Sequence, residues 1–227
     1  MILTEKLKVE FRGPAKELVP VLDIPSFEAK AGEQVCLVGG SGSGKTTFLN
    51  VLAGITPATE GRVSIDGTDI MALAEGRRDK FRAANIGYVF QSFNLLQGLS
   101  ARENVALAGT FVGRGPGASR KRARDLLKRL ELGHRVDARP GTLSVGEQQR
   151  VGIARALMNE PKVVLADEPT ANLDDAGAAR ALDLLMEVVA ERGATLVLVT
   201  HDSRVRARFD SVLELSDINR SSTETRK

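Results

Sequence analysis

Gly39-Gly40-Ser41-Gly42-Ser43-Gly44-Lys45-Thr46 follows the apolar run Gln34–Val38 and precedes Thr47-Phe48-Leu49, the start of a helical pattern. The stretch satisfies G-x-x-x-x-G-K-[ST] with a strand before it and a helix after it. Glycines let successive backbone N–H groups curve around phosphate oxygens, and the helix N-terminus adds its positive dipole end. Lys45 is placed to reach the β/γ-phosphates and the Thr46 hydroxyl to ligate Mg²⁺. Gly39, Gly40, Ser41, Gly42, Ser43, Gly44, Lys45, Thr46 and Thr47 are therefore the expected nucleotide contacts. A dinucleotide fingerprint would need G-x-G-x-x-G with an acid further on, and the Lys–Thr pair argues against it.

Two further sites follow from strand ends. Lys162-Val163-Val164-Leu165-Ala166-Asp167-Glu168 carries two acids at the carboxyl end of a buried strand. Packing does not ask for a doubled carboxylate there, apart from acids paired structurally to arginine. Asp167 suits the Mg²⁺ shell, and Glu168 is placed to orient or deprotonate an attacking water. His201 ends the next strand, in Val199-Thr200-His201-Asp202, where a γ-phosphate contact is expected. His134 receives no role.

Hydrophobic patterning sets the frame around these sites. Residues 2–11 and 19–30 read as two strands, followed by strands at 34–38, 62–65, 86–90, 163–166 and 195–200. Helices are expected after the cradle up to Gly54, over 73–84, from Ser100, over 119–132, from Ser144 through Leu157, and from Asp174 or Asp175 to Gly193. Ser100 with Glu103 and Ser144 with Glu147 form capping boxes. Near-continuous apolar strands alternating with helices belong to parallel sheets with helical crossovers. The fold class expected is α/β: a mostly parallel core, an N-terminal antiparallel β portion and a helical lobe at about 92–158, in one domain over 1–227. The tail beyond Ile218 is expected to fray.

Composition excludes several roles. The 227 residues include 32 Lys and Arg against 29 Asp and Glu, a formal net charge of +3, too small an excess to imply nucleic acid. Eight Phe, one Tyr and no Trp leave little for base stacking. Residues 118–140 hold a basic cluster, read as a solvated helix face or as a contact for anionic lipid or a partner. Cys36, the single cysteine, reads as a buried strand thiol and fits a reducing compartment. The N-terminal stretch lacks a signal-peptide core, and no apolar run reaches the ~18 residues of a membrane span. Any membrane role is expected to come through a partner.

The motifs together resemble the nucleotide-binding subunits of ATP-binding cassette (ABC) transporters, along nearly the whole chain. Leu143-Ser144-Val145-Gly146-Glu147-Gln148-Gln149-Arg150 resembles the family signature, Gln91 after Tyr88-Val89-Phe90 the Q-loop, Ala171-Asn172-Leu173-Asp174 the D-loop and His201 the switch histidine. The resemblance implies a P-loop NTPase core binding ATP and Mg²⁺. Gln91 and Asp167 would join Thr46 at the metal, and Phe11 would stack on adenine. Ser144, Gly146, Glu147 and Asp174 would meet the ATP held by a second copy, so two ATP are sandwiched in a head-to-tail dimer. Glu168, His201, Lys45 and Gln91 would be the catalytic set.

Val145 replaces a glycine expected after the signature serine, Glu147 replaces the common glutamine, and Gly40 stands where proline is frequent. Glu147 completes a capping box, and Gly146 keeps the backbone approach close; slower or looser dimer closure is the effect expected of Val145. Tyr88 through Leu96, Glu103-Asn104-Val105 and Asp167 through Asp174 are similar to the branch containing lipoprotein-releasing, macrolide-efflux and cell-division ATPases. That resemblance implies an export or mechanotransmission complex at the cytoplasmic face of the membrane, with integral permease subunits as partners. The alternative is an importer subunit. Chromosome-maintenance relatives carry a coiled-coil arm between Q-loop and signature, for which the interval from Gln91 to Ser144 is too short. Translation-type relatives carry two such domains, against one here. Phe93, Leu95, Leu96 and Leu99 are candidate partner contacts, or ordinary core.

Overall fold

The computed structural model describes residues 1–14 and 16–221. Strands β1 (Ile2–Arg12) and β2 (Leu18–Ala29) form an antiparallel hairpin, and β3 (Gln34–Val38) leads into the cradle and helix α1 (Lys45–Leu52). Next come β4 (Glu60–Ile65), β5 (Thr68–Asp69), α2 (Glu75–Asn85) and β6 (Ile86–Val89). Helices α3 (Ala101–Thr110), α4 (Pro116–Arg129) and α5 (Val145–Ala156) pack on one another and form the helical part. The chain closes with β7 (Val163–Asp167), α6 (Asp175–Glu191), β8 (Thr195–Thr200), α7 (Ser203–Arg206), β9 (Ser211–Glu214) and α8 (Leu215–Ile218).

Two sheets result. One is antiparallel with order β2-β1-β4-β5; the other is parallel with order β6-β7-β8-β3-β9. The parallel strands are apolar on both faces because both faces are covered. Alternate side chains enter two different cores. Cys36, Val38, Val164, Ala166, Leu196 and Leu198 face the helical side with Leu126, Ile153 and Leu185. Val35, Leu37, Val163, Leu165, Val197 and Val199 face α1 and the antiparallel sheet. Cys36 is fully buried, and that burial pushes its thiol up to about 11, so it stays protonated as a packing residue.

Both capping boxes form. Ser100 Oγ accepts from the Glu103 N–H at 3.3 Å while Glu103 Oε2 accepts from the Ser100 N–H at 2.8 Å. Backbone and side-chain donation from Ser100 holds the Glu103 carboxyl below the usual carboxylate range. Ser100→Ala leaves the Glu103 N–H at the start of α3 without its partner and removes the hydroxyl that donates to Glu103 Oε2. It is expected to cost about 1 kcal/mol and to lower Tm by roughly 2–4 °C; differential scanning calorimetry measures it, and an unchanged Tm would reject the box as a stabilising element.

The structure departs from the sequence reading in three places. Helix α4 begins at Pro116 rather than Ser119, because proline fits the first helical position, where no N–H is needed. It ends at Arg129, and Leu130 and Leu132 are buried beyond it. The short elements β5, α7, β9 and α8 were not foreseen; their patterns are too brief to show a period. Residues 219–221 do not fray: Asn219 Oδ1 accepts from the Asp23 N–H at 2.8 Å and Ser221 Oγ donates to the Val21 carbonyl at 2.8 Å. The rest of the tail lies outside the described residues.

Candidate active site

Parallel pairing aligns the carboxyl ends of four strands, and the site is built there. Val38 at the end of β3 pairs with Thr200, Asp167 pairs with Val199, and Val89 pairs with Ala166. The cradle, the two acids, His201 and Gln91 are thereby gathered on one edge from positions up to 162 residues apart in the sequence numbering. Residue spacing alone could not fix which strands are neighbours.

The cradle turns on Gly44, whose φ of 96° is left-handed and whose missing side chain leaves room for Val21 and Leu22 of β2. Lys45 is buried, and its Nζ donates to the carbonyls of Gly39 at 2.8 Å and Gly40 at 2.7 Å, bending back over the loop. Ser43 Oγ is buried without a hydrogen-bond partner. Open space surrounds the Cα atoms of Gly40 and Gly42. An orphaned hydroxyl, an arched backbone and a folded-back ammonium fit a phosphate chain that completes their bonding.

Thr46 Oγ1 donates to Asp167 Oδ1 at 3.2 Å. Burial pushes the Asp167 carboxyl up from its ordinary value and the charge of Glu168 adds to this; the Thr46 hydroxyl and Lys45 oppose it. Among the described residues no cluster of three or more His, Cys, Asp or Glu side chains could hold a metal by itself. The Thr46–Asp167 pair instead fits Mg²⁺, which keeps water and phosphate ligands around one or two protein groups.

Glu168 is buried and sits at a φ of 44°, a backbone conformation costly for a non-glycine residue. Its N–H donates to the Val199 carbonyl at 3.0 Å. Oε2 accepts from the Thr200 hydroxyl at 3.0 Å, and Oε1 lies 2.6 Å from His201 Nδ1. The His201 ring itself is exposed on the open side. One carboxylate is thus held from behind by a buried hydroxyl and faced by an imidazole at the surface.

The loops that flank the site are tied together. Asn172 Nδ2 donates to the Gln91 carbonyl at 2.9 Å. Arg155 of α5 donates to the carbonyls of Asn94 at 2.5 Å and Phe93 at 2.6 Å, where both residues have left-handed φ, and lies 5.9 Å from the Phe90 ring centre. The residue-level reading missed Arg155 and Thr200. Thr200 did leave a signal, a hydroxyl at an otherwise apolar strand end. Of the candidate partner contacts, Leu95 is buried, Phe93 packs against the core and Leu96 is exposed.

The signature residues stand apart from this cluster. Ser144 caps α5, its Oγ accepting from the Glu147 N–H at 3.2 Å. Glu147 is held below the usual carboxylate range first by the Ser144 N–H, against burial and with help from Arg135. Gly146 faces Leu173, and Val145 is exposed. Asp174 Oδ1 accepts from the Gly177 N–H at 3.0 Å and so is the N-cap of α6. Among the described residues no hydrogen bond or ion pair joins residues 144–148 to the cradle. Phe11 is exposed, paired with Val19 near the end of the hairpin.

The basic cluster over 118–140 is mostly solvated but not wholly so. Arg122 donates to the Met158 carbonyl at 2.6 Å and pairs with Glu160 at 3.2 Å, stapling α4 to the turn before β7.

Comparison with known proteins places this geometry. Residues 22–171 match the family model described as ABC transporter. The chain belongs to the ABC transporter ATP-binding family. It is 42% identical over 88% of its length to the ABC transporter ATP-binding protein YtrE of Bacillus subtilis, covering 86% of that protein. It is also 42% identical over 88% of its length to the lipoprotein-releasing system ATP-binding protein LolD of Xanthomonas campestris, covering 84% of it. The ATP-binding cassette MJ0796, solved as a dimer bound to ADP and Pi, superposes with a TM-score of 0.87 at 38% identity, covering 94% of each chain. The cassette is therefore an ATP-binding, ATP-hydrolysing α/β domain, as the motifs implied. Among its described residues no helix is long and apolar enough to cross a membrane.

Proposed function

We propose that the cassette binds Mg²⁺-ATP between two copies of itself and drives an export or mechanotransmission complex from the cytoplasmic face of the membrane. The observation that carries the chemistry is Glu168, a buried carboxylate 2.6 Å from His201 Nδ1 at the same sheet edge as the cradle. Glu168 takes the proton of the attacking water as the water oxygen bonds to the γ-phosphorus and the bond to the ADP oxygen breaks. His201 orients this carboxylate and reaches toward the γ-phosphate. Lys45 and the backbone N–H groups of residues 40–46 bear the phosphate charge. Thr46 and Asp167, joined by Gln91, would hold Mg²⁺, which would supply positive charge to offset that of the phosphates. Phe11, exposed near the end of the hairpin, would stack on the adenine.

The dimer reading is supported by the exposed cap at Ser144, whose helix end holds its own Glu147 carboxylate but makes no bond to the cradle of the same chain. The dimeric state of MJ0796 points the same way. The similarity to LolD supports a release or export role over import. Purified cassette is expected to release phosphate from ATP slowly, with full loss on removing Mg²⁺ with EDTA and recovery on adding it back. Phosphate release unaffected by EDTA would overturn the Mg²⁺ assignment, and none under any condition would overturn the enzyme reading. Copurification of a few-span membrane protein with a large extracytoplasmic domain would support export; a many-span permease with a separate binding protein would indicate import.

A further inference from the structure

Thr200 is the last residue of β8 and is fully buried. The strand before it is apolar, and valine has the same branched shape that suits a strand. Packing therefore does not call for a hydroxyl here, and a buried hydroxyl is costly unless bonded. Both of its bonding capacities are used on the site. Oγ1 donates to Glu168 Oε2 at 3.0 Å and accepts from the Asp202 N–H at 3.0 Å.

Those two bonds bracket His201. The oxygen that fixes one end of the carboxylate also fixes the backbone just after the imidazole. Asp202 is held further by Arg204, which donates from its backbone N–H at 2.8 Å and from Nε at 3.0 Å to Oδ1; the same Arg204 side chain reaches Asp175, next to the D-loop. A glutamate has three rotatable bonds, and only one of its oxygens faces His201. We infer that Thr200 is the positioning residue of the reaction, locking the Glu168 carboxylate and the His201 loop in one mutual geometry through a single buried oxygen. The inference rests on the role of Glu168 proposed above.

Thr200→Val removes the hydroxyl and keeps the shape, Thr200→Ser keeps the hydroxyl, and Thr200→Ala removes it with less bulk. Steady-state hydrolysis, ATP binding to the purified chain and the lifetime of the ATP-bound dimer by light scattering are measured for each, beside Glu168→Gln. A misplaced reacting group costs on the order of 100-fold. Thr200→Val and Thr200→Ala are expected to lose about that factor in kcat, with KM for ATP changed by less than about twofold and a longer-lived ATP-bound dimer. Thr200→Ser is expected to recover most of the rate.

Wild-type turnover in Thr200→Val or Thr200→Ala, with Glu168→Gln inactive, would overturn the inference while leaving the base assignment standing. Wild-type turnover in Glu168→Gln would remove the base assignment and the inference with it. Loss of ATP binding in parallel with kcat in all three Thr200 variants would make the residue structural and reject its positioning role. If Thr200→Val does not fold, the split between kcat and KM in Thr200→Ala and Thr200→Ser decides.

Discussion

Glu168→Gln is expected to lower ATP turnover by about 10²–10⁴-fold, the contribution of a positioned general base, while ATP binding is retained. The substitution keeps the volume of a buried side chain. A glutamine oxygen still accepts from the Thr200 hydroxyl, which stands 3.0 Å from Glu168 Oε2, and its amide group takes the place of the oxygen facing His201. What is lost is the capacity to take a proton. The charge of Glu168 is also one of the lesser influences raising the Asp167 carboxyl beside Thr46, and the substitution removes that influence without touching the cradle. ATP should therefore hold two copies together that hydrolysis no longer separates. Phosphate release and light scattering with ATP measure the two effects. A monomer in saturating ATP would contradict the sandwich, and undiminished phosphate release would contradict the base.

Phe48→Ala is expected to cost about 3–5 kcal/mol, and with roughly 2–4 °C of Tm per kcal/mol for a domain of this size the midpoint should fall by about 10 °C. Phe48 is fully buried one turn into α1, the helix that the cradle opens. Its ring meets Phe27 of β2 edge to face, with centres 5.2 Å apart and planes at 88°. The contact clamps α1, which begins at Lys45, to the antiparallel sheet. Truncation leaves a cavity at the joint between the two sheets, so ATP affinity should weaken along with stability. Thermal unfolding with and without ATP measures both, and Phe48→Leu should recover much of each. A midpoint shift below 2 °C would show that the site collapses without cost.

How much was legible depended on range. The cradle, both capping boxes and the Asp174 alternative of the α6 cap are encoded within a few residues, where backbone N–H groups and side chains of known offset meet. Parallel strands announced themselves by unbroken apolar runs, since burial on both faces leaves no polar alternation. The short elements near the C-terminus, α7, β9 and α8, gave no such signal, being too brief to show a period. The ordering of Asn219 and Ser221 depends on the carbonyl of Val21 and the N–H of Asp23, nearly the whole chain away.

The same division runs through the site. The sequence alone put a Lys–Thr pair after a glycine loop, paired acids at one strand end and a histidine at another, because each chemistry needs particular residue types beside particular strand or helix termini. Only the tertiary structure brought them to one edge, through the strand order β6-β7-β8-β3-β9. It also decided the left-handed backbone at Glu168, the Thr200 oxygen shared between base and histidine loop, and the grip of Arg155 on the Phe93–Asn94 turn. Strand register is set by burial across the whole sheet, where a one-residue slip would turn each apolar side chain to the wrong core. No local run of residues carries that information.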